Sequence, residues 1–537
     1  MNSKNIRFFS KLKAPVLGIL SAALVPVSNV QAMKINLQDS DFQARWDNTL
    51  KYNAAWRLKD AKVDVAGTNY NPNIDAGDTN FDKGLVSNRV DILSEFDLSY
   101  KGELGLRISA AGWYDDVYHK NTDSNLELTN IRGVSNSNFS RSAKKLHGGD
   151  VELLDAFISY KAKPADMRMN IKVGRFAQLY GESIFFGSNG VADAQATPDL
   201  VKALSVPGSQ IKEILRPTEQ IALNLQVNQQ LSFGTYYQFA WNEAQLPAAG
   251  SYYSFSDFAG KGANTVYFPT GLLVRDSDIS GRDSGQWGVQ VKYRTDETEY
   301  GFYASRHHAK TPQFYFRPTL GTYSLVYAED IKIYGISAST LFGETNVAAE
   351  LSYRPNAPLN AIGNVMIDDG TGNNNSNSLY PVGRTTHLNI STISLLKANS
   401  LWDGASFVGE FALNYLNKVT DNSDQLDPRV TRSASAFRFI FQPEYFQVLP
   451  GVDLQVPIGV GYGLHGRTAG TAGMPPEHGG DFTIGVKADV NKTFQMSLSY
   501  TNYFGKGKGI VDETGGLSYG QVHQDRDFIS LTAQRTF

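Results

Sequence analysis

Cysteine is absent from the 537-residue chain. This excludes disulfides, thiolate metal sites and cysteine nucleophiles. Beyond the first 32 residues, no apolar run reaches the roughly 18 residues that a membrane-spanning helix needs. Residues 1–32 carry four lysine or arginine side chains and no acid, so their removal would lower the formal net charge from −3 to −7. A chain without a basic excess is not expected to bind nucleic acid.

The first 32 residues predict a secretory signal peptide. A basic start is followed by an apolar stretch over residues 14–27 and by a small residue, Ala32, at the predicted cleavage site. The alternative is a membrane anchor. It is disfavoured because the stretch is shorter than the roughly 20 residues needed to cross a bilayer, and because Pro15 and Pro26 interrupt it. The predicted parts are therefore a signal peptide, 1–32, and one mature domain, 33–537.

The mature chain is rich in aromatic residues and in alternating patterns. The sequence has 27 Tyr, 30 Phe and 6 Trp. Trp46 and Leu50 share one parity, while Asp47 and Lys51 share the other, as in a β-strand that faces two different environments. A spanning chain without helices has to form a closed β-barrel, because a bilayer offers no partner to unpaired backbone groups. We therefore predict an all-β fold, a transmembrane antiparallel β-barrel.

The alternating segments predict about 18 strands. Their starts lie near residues 44, 88, 103, 151, 167, 218, 231, 285, 299, 327, 344, 385, 404, 435, 454, 480, 493 and 526. Sixteen is the alternative number, because the alternation near residues 327 and 454 is weak.

The predicted links between strands alternate in length. Short links include 101–102, 163–166, 228–230, 296–298 and 491–492, and long links cover about 59–87, 119–149, 178–217, 243–284, 355–384 and 504–525. Bacterial outer-membrane barrels combine short periplasmic turns with long extracellular loops. A soluble β-protein, the alternative, has no reason to keep such a pattern. The pattern predicts the outer membrane of a Gram-negative cell, with both ends of the barrel in the periplasm.

Charged residues of the polar parity are predicted to face the lumen, since a charge on the lipid face costs roughly 2–4 kcal/mol at the midplane. They are Arg45, Asp47, Lys51, Asp91, Glu95, Asp97, Arg107, Asp155, Arg168, Lys172, Glu350, Arg354 and Glu410. These charges could line a selective path for a solute, or they could pair with one another and fill the lumen. Both signs occur, which disfavours a simple anion or cation pore.

The long segment 180–217 predicts a loop with a role of its own. Short helical pieces are expected at 199–204 and 210–215. Such a loop can fold into the lumen as a constriction or plug, or it can cover the barrel from outside, and the sequence favours neither. The residues assigned to gating are Glu182, Leu200, Leu204, Ile211 and Leu215.

An acidic segment offers a candidate metal site. Asp78, Asn80 and Asp82 have the spacing with which an EF-hand calcium loop begins. Lys83 then stands where that loop needs glycine, and Arg89 where it needs glutamate. A turn held by side-chain hydrogen bonds is therefore the preferred interpretation. Neither a metal nor another cofactor is predicted.

Enzymatic function is not predicted. A hydrolase needs an activated nucleophile with its base in reach, and the eight histidines are scattered along the chain. His307 and His308 are adjacent, but neighbouring residues of a strand point to opposite faces, so they make a poor metal site.

A series of short motifs resembles one protein family. The motifs are Asp78-Thr79-Asn80-Phe81-Asp82-Lys83-Gly84, Trp113-Tyr114-Asp115-Asp116, Leu154-Asp155-Ala156-Phe157, Gly181-Glu182-Ser183, Tyr334-Gly335-Ile336-Ser337 and Asp525-Arg526-Asp527-Phe528. In this order they resemble a large proteobacterial family of outer-membrane proteins catalogued as a domain of unknown function. The resemblance covers nearly all of the mature chain. One departure is Tyr180, where the family usually has tryptophan. The resemblance implies a barrel whose genes often lie beside those of a periplasmic protein family and an efflux-type permease.

The leading prediction for function is an outer-membrane channel or transport component for hydrophobic or amphipathic small molecules or lipids, as the gene context of the family implies. The first alternative is a structural or assembly barrel with a blocked lumen, and the second is a barrel-embedded hydrolase. The expected partners are outer-membrane lipid, lipopolysaccharide and the barrel-insertion machinery, which would read the terminal strand ending in Phe537. The resemblance adds a periplasmic protein and an inner-membrane permease.

Overall fold

The computed structural model describes residues 33–35, 41–66, 73, 76–124, 137–195, 197–205, 214–269, 271–470 and 473–537. The predicted signal peptide lies outside these ranges. The strands, numbered in chain order, are β1 (Met33–Ile35), β2 (Phe42–Arg57), β3 (Gly84–Tyr100), β4 (Leu104–Asp115), β5 (Gly149–Ala162), β6 (Arg168–Phe176), β7 (Thr218–Gln226), β8 (Leu231–Gln238), β9 (Thr265–Phe268), β10 (Gly271–Arg275), β11 (Gln286–Arg294), β12 (Thr298–His307), β13 (Gln313–Arg317), β14 (Thr322–Val326), β15 (Ile331–Phe342), β16 (Thr345–Pro358), β17 (Val365–Ile367), β18 (Val382–Leu396), β19 (Gly404–Asp421), β20 (Ser433–Leu449), β21 (Val452–Gln455), β22 (Ile458–His465), β23 (Gly480–Val490), β24 (Phe494–Phe504) and β25 (Phe528–Thr536).

Eighteen antiparallel wall strands close into a barrel. Each pairs with its neighbour along the wall, and the first, β2, pairs with the last, β25. The pieces β21 and β22 form one wall strand that is interrupted before Pro457, because proline cannot donate to the ladder. The prediction of 18 strands is confirmed against the alternative of 16, and each predicted start lies within about four residues of the observed one.

The two faces of the wall differ as the alternation predicts. Large apolar side chains such as Trp46, Ile92, Phe302, Ile336 and Leu498 are exposed on the outside. The opposite parity points inward. Along β16, for example, residues 348, 350, 352 and 354 are buried while 349, 351 and 353 are exposed. The closed ladder leaves no strand edge, and the apolar exterior suits the hydrocarbon layer of a membrane.

Turns and loops separate to the two ends of the barrel. Short turns such as 101–103, 343–344 and 491–493 connect the wall strands at one end of the barrel. Both barrel termini lie at the same end, and the Phe537 backbone N–H donates to the Asn48 carbonyl oxygen at 2.8 Å. The long loops all lie at the other end. This is the arrangement that the link lengths predicted.

Helices are few and short. The α-helical pieces are Val63–Ala66, Ala76–Thr79, Arg141–Ala143 and Leu200–Ser205, the 3₁₀ turns are Asp116–His119, Pro164–Asp166, Gly187–Asn189, Val191–Ala194, Ile362–Asn364 and Ser423–Gln425, and Lys144–Gly148 is a π-helical turn. Among the helices of the described ranges, none has both the length and the apolar character needed to cross a membrane.

The long loops build a second sheet, which we call the lid. It contains β9, β10, β13, β14 and β17, in the order β17-β13-β14-β10-β9. Phe314 and Phe316 of β13 pack with Tyr323 and Leu325 of β14 in one apolar cluster. The sequence pattern predicts loops for these segments and gives no sign of the lid. All five residues of β13 are buried, so the period-two signal that marks a half-exposed strand is missing.

A buried charge cluster joins the loops at the seam between the first and last wall strands. The Arg57 Nη2 lies 2.5 Å from Asp78 Oδ1 and 3.7 Å from Asp525 Oδ1, and the Arg526 Nε lies 3.4 Å from Asp78 Oδ1. All four side chains are inaccessible to solvent or nearly so. Burial, reinforced by the Asp78 carboxylate, raises the pKa of Asp525 to about 6. The cluster ties the loop before β3 to the loop before β25.

The candidate calcium residues are not assembled into a metal site. The Asp78 carboxylate is paired with arginine, the Asn80 side chain donates its Nδ2–H to the Gly250 carbonyl oxygen at 2.9 Å, and Asp82 is exposed. Within the described residues no group of three or more potential metal-ligating side chains was found. The preferred Asx-turn interpretation was also wrong for Asp78, because the charge of Arg57 holds its carboxylate.

Candidate solute chamber and inward loop

Residues 177–217 are here called the inward loop, and its described residues, 177–195, 197–205 and 214–217, fold into the lumen. Glu350 on β16 accepts hydrogen bonds from the backbone N–H groups of Glu182 and Val191, both at 2.7 Å. Gly181 and Gly190 flank this carboxylate, and a Cβ on either would overlap its oxygens. Glycine is therefore required for the close approach between the loop and Glu350.

A second lumen carboxylate holds the next turn of the inward loop. Glu410 on β19 accepts the Ser183 Oγ–H at 2.8 Å and the backbone N–H groups of Ile184 (3.0 Å), Phe185 (2.5 Å) and Phe186 (3.0 Å). Charged acceptors make such hydrogen bonds stronger than neutral ones do. Two wall carboxylates thus accept hydrogen bonds from loop N–H groups that would otherwise be buried without partners.

Further wall residues fix the following turn. Arg354 donates to the Ser188 carbonyl oxygen at 2.7 Å and pairs with Asp193 at 3.1 Å. Asn189 donates its Nδ2–H to Asn389 Oδ1 at 2.9 Å, and its Oδ1 lies 3.0 Å from His387 Nδ1. The inward loop is therefore bonded to β16, β18 and β19.

The structure decides between the two positions that the sequence left open for this loop. It lies in the lumen, and other loops form the lid. Glu182 pairs with Lys292 at 3.3 Å, the predicted helical piece appears as Leu200–Ser205, and Leu200 and Leu204 face a cavity. Leu215 is not helical but bridges Pro198, and Ile211 lies outside the described residues. The gating role of these residues stays a prediction.

All the predicted lumen charges have the inward parity, and several pair with one another. Arg107 pairs with Glu95, with Asp97 at 2.8 Å and with Asp155 at 3.2 Å, and Arg45 pairs with Asp47 at 2.6 Å. Arg107 thus links β4 to the neighbouring strands β3 and β5 and stiffens the wall, whereas Arg45 and Asp47 lie on the same strand, β2.

The remaining predicted lumen cations have different surroundings. Lys51 lies opposite Asp91 in the β2–β3 register, and Arg168 lies opposite Gln226 near the short-turn end. The Lys172 Nζ lies 5.0 Å from the Phe157 ring centroid, a cation–π distance. Glu350, Arg354 and Glu410 are the members of the predicted set that hold the inward loop.

Between the inward loop and the lid lies a cavity of about 680 Å³, here called the chamber. Its wall combines three parts of the molecule. The inward loop contributes Phe185 and Leu200, the lid and its loops contribute Phe258 and Phe314, and the barrel contributes Arg354, among other residues. Ligand sites of small-molecule proteins have volumes of about 300–1,000 Å³ and mostly apolar walls with a few polar groups. The chamber has the size and the lining of such a site.

One chamber residue that the sequence analysis missed is Lys310, in the loop between β12 and the lid. It is 6 % exposed, and its Nζ donates to Gln286 Oε1 at 2.7 Å. Burial lowers the pKa of Lys310 to about 7, with Asp193 acting in the opposite direction. Nothing in the local sequence distinguishes this lysine from a surface one, since only the fold of two loops buries it.

A nucleophile-elbow pattern also escaped the sequence analysis. Gly516-Leu517-Ser518-Tyr519-Gly520 has the spacing Gly-x-Ser-x-Gly. In α/β-hydrolases this pattern occupies a strand-to-helix turn, whereas here it lies in the long loop before β25. The Ser518 hydroxyl donates to the Gly509 carbonyl oxygen at 2.5 Å. The Ser518 hydroxyl is thus hydrogen-bonded within its own loop.

These features define a class. A closed 18-stranded antiparallel barrel with an apolar exterior and a loop folded into its lumen is a transmembrane β-barrel of the outer-membrane type. The chain belongs to the family described as "Protein of unknown function (DUF1302)", whose model matches residues 13–537. No curated protein matches the chain in sequence.

Solved structures resemble the chain remotely. The outer-membrane channel DcaP of Acinetobacter baumannii has 9% identity and a TM-score of 0.39, with 95% of this chain and 100% of that chain covered. A BenF-like porin from Pseudomonas fluorescens Pf-5 has 9% identity and a TM-score of 0.42, with coverage of 92% and 98%. OccAB4 of Acinetobacter baumannii has 11% identity and a TM-score of 0.41, with coverage of 94% and 99%. The assignment to the barrel class rests on the strand pairing above.

Proposed function

We propose that this protein is an outer-membrane channel that passes, or hands over, hydrophobic or amphipathic small molecules. The observation that carries the proposal is the chamber, an apolar-walled cavity inside the barrel, bounded by the inward loop and the lid. A barrel with a purely structural role does not need a cavity of solute size. The inward loop would act as the constriction, and the charges that bind it would set its position.

A blocked structural barrel is the second candidate, and one observation favours it. Glu350, Glu410 and Arg354 bind the inward loop through many hydrogen bonds, and a loop held in this way would keep the lumen blocked. The two candidates therefore differ in whether any solute or ion crosses the barrel.

Single-channel recording in planar bilayers separates these candidates. The matched variant replaces residues 185–216 with a short Gly/Ser linker, which removes the constriction and leaves the wall strands intact. We expect small or rare openings for the native chain and a large steady conductance for the variant, provided that both show the heat-modifiable migration of a folded barrel. Silence from a folded deletion variant would refute the channel.

The remaining partners belong to the same proposal. Outer-membrane lipid and lipopolysaccharide would contact the apolar exterior, and the barrel-insertion machinery would bind β25 with its terminal Phe537. Long loops on the outside would leave the short turns and both barrel termini in the periplasm. A periplasmic protein and an inner-membrane permease follow from the family resemblance, and they would deliver or receive the solute at the short-turn end.

A further inference from the structure

Lys310 lies in the chamber wall with most of its hydrogen-bonding capacity unused. An ammonium group has three donors, and the acceptor found for it among the described residues is Gln286 Oε1. No carboxylate oxygen of the described residues lies within 4.0 Å of its Nζ. A buried charge without a counter-ion is costly, so this position favours an anion brought by a ligand.

The carboxylates of the chamber wall are already engaged. Asp193 pairs with Arg354 at 3.1 Å, Asp481 pairs with Arg438 at 2.5 Å, and Glu477 accepts the Gly466 backbone N–H at 2.7 Å. Two of these carboxylates are thus paired with arginine and the third is hydrogen-bonded to the backbone, and none of them lies within ion-pair distance of the Lys310 Nζ.

Many of the other side chains in the chamber wall are apolar and suit the hydrocarbon part of a ligand. The apolar side chains that line the chamber include Leu200, Leu204, Leu246, Phe258 and Phe314. They come from the inward loop and from the lid and its loops, so an elongated molecule lying across the chamber would contact both. Burial of such a molecule against these side chains supplies the hydrophobic part of binding.

We propose that the chamber binds an amphipathic anion, with its acidic headgroup on Lys310 and its apolar body along the leucine and phenylalanine wall. The inference rests on the proposed function and names the substrate class of that same site. A charge-assisted hydrogen bond from the ammonium group would fix the headgroup, and the wall would tolerate different apolar bodies.

The charged and titratable groups that face Lys310 are Asp193 from the inward loop and His307 and His308 from the end of β12. Because burial lowers the pKa of Lys310 to about 7, the empty site loses its positive charge as the pH rises above neutrality. Anion binding and protonation of Lys310 are then coupled, so binding of the acid should weaken at alkaline pH.

The test uses purified full-length protein refolded in detergent and a fluorescent probe, 11-(dansylamino)undecanoic acid, beside its uncharged primary amide. We expect Lys310→Met to weaken binding of the acid by about tenfold or more. The amide should keep its affinity within about twofold, because the apolar wall is unchanged. Lys332→Met, at an exposed lysine outside the chamber, is the matched control and should alter neither probe.

A pH series provides the second readout. Affinity of the native chain for the acid should fall by about tenfold between pH 6.5 and pH 9 as Lys310 loses its proton. Lys310→Arg, whose guanidinium stays charged, should bind the acid with little change over that range. Because Lys310→Arg keeps the positive charge, it also shows whether weaker binding by Lys310→Met comes from the lost charge or from misfolding.

The outcomes separate the two proposals. Equal affinity for acid and amide in a protein that conducts would overturn the anion assignment and leave the channel standing. The anion assignment would also be overturned if Lys310→Met lost affinity for the acid and for the amide equally, provided that Lys310→Arg showed the same equal loss. Binding of neither probe, together with silence in the bilayer, would overturn the channel itself.

Discussion

At the scale of single residues, buried charged side chains hold the loops in place against one another and against the barrel wall. Asp78 and Arg526 belong to two of the short motifs that carry the family resemblance, and they meet Arg57 in the seam cluster. A buried ion pair contributes little net stability over apolar residues, yet the loss of one partner is expensive because the other charge is left without compensation. These residues therefore constrain one another.

Substitution of Arg57 tests this view. We expect Arg57→Met to lower the free energy of unfolding by about 3–5 kcal/mol, because Asp78 loses the nearer of its arginines. The measurement is urea unfolding of the refolded barrel in detergent. Lys83→Met is the control, since the Lys83–Asp60 pair is exposed and is expected to contribute less than about 1 kcal/mol. Equal small effects in both variants would contradict the role of the cluster.

At the scale of elements, the inward loop depends on the wall for its shape. Its described residues have little regular structure, and the bonds that fix them come from residues far away in the chain, on β16, β18 and β19. Its position could not be read from residues 180–217, because the same apolar and helical pieces would suit a loop that covers the barrel. Alternation did predict the inward direction of Glu350 and Glu410, but not that they accept backbone N–H groups.

At this scale we predict that weaker hydrogen bonding of the inward loop to the wall makes channel openings more frequent. Glu410→Gln removes the charge and turns an amide N–H toward the backbone N–H groups of residues 184–186. A loss of roughly 1.5–3 kcal/mol corresponds to about a tenfold or larger rise in the population of open states. Single-channel recording should show more frequent openings than in the native chain. Glu344→Gln, in the exposed turn between β15 and β16, is the control, and an unchanged opening frequency in Glu410→Gln would contradict the prediction.

At the scale of the whole molecule, the barrel separates two ends of different character. Short turns and both barrel termini lie at one end, and the lid with the other long loops lies at the opposite end. The lid borders the chamber through Phe314. A solute would therefore pass the lid, the chamber and the inward loop in that order, or in the reverse order.

Epitope insertion tests the orientation. A tag placed at Thr319-Leu320, in the exposed turn between β13 and β14, should bind antibody on intact cells, because long loops of bacterial barrels face outward. A tag placed in the turn at Gly343-Glu344 should bind antibody only after the outer membrane is opened. The opposite labelling pattern, in barrels that fold equally well, would reverse the orientation.

The amino-acid sequence by itself determined the wall of the barrel. Strand number, strand positions, the inward parity of the charges and the alternation of short and long links all follow from a period of two, which lipid on one side and a polar lumen on the other impose on every wall strand. The tertiary structure alone decided the lid, the depth of the inward loop and the chamber. Those features arise where loops far apart in the chain bury each other's apolar and charged groups, and such burial leaves no periodic mark on the sequence. Lys310 shows the difference most clearly, since only the packing of loops far apart in the chain buries this otherwise ordinary lysine.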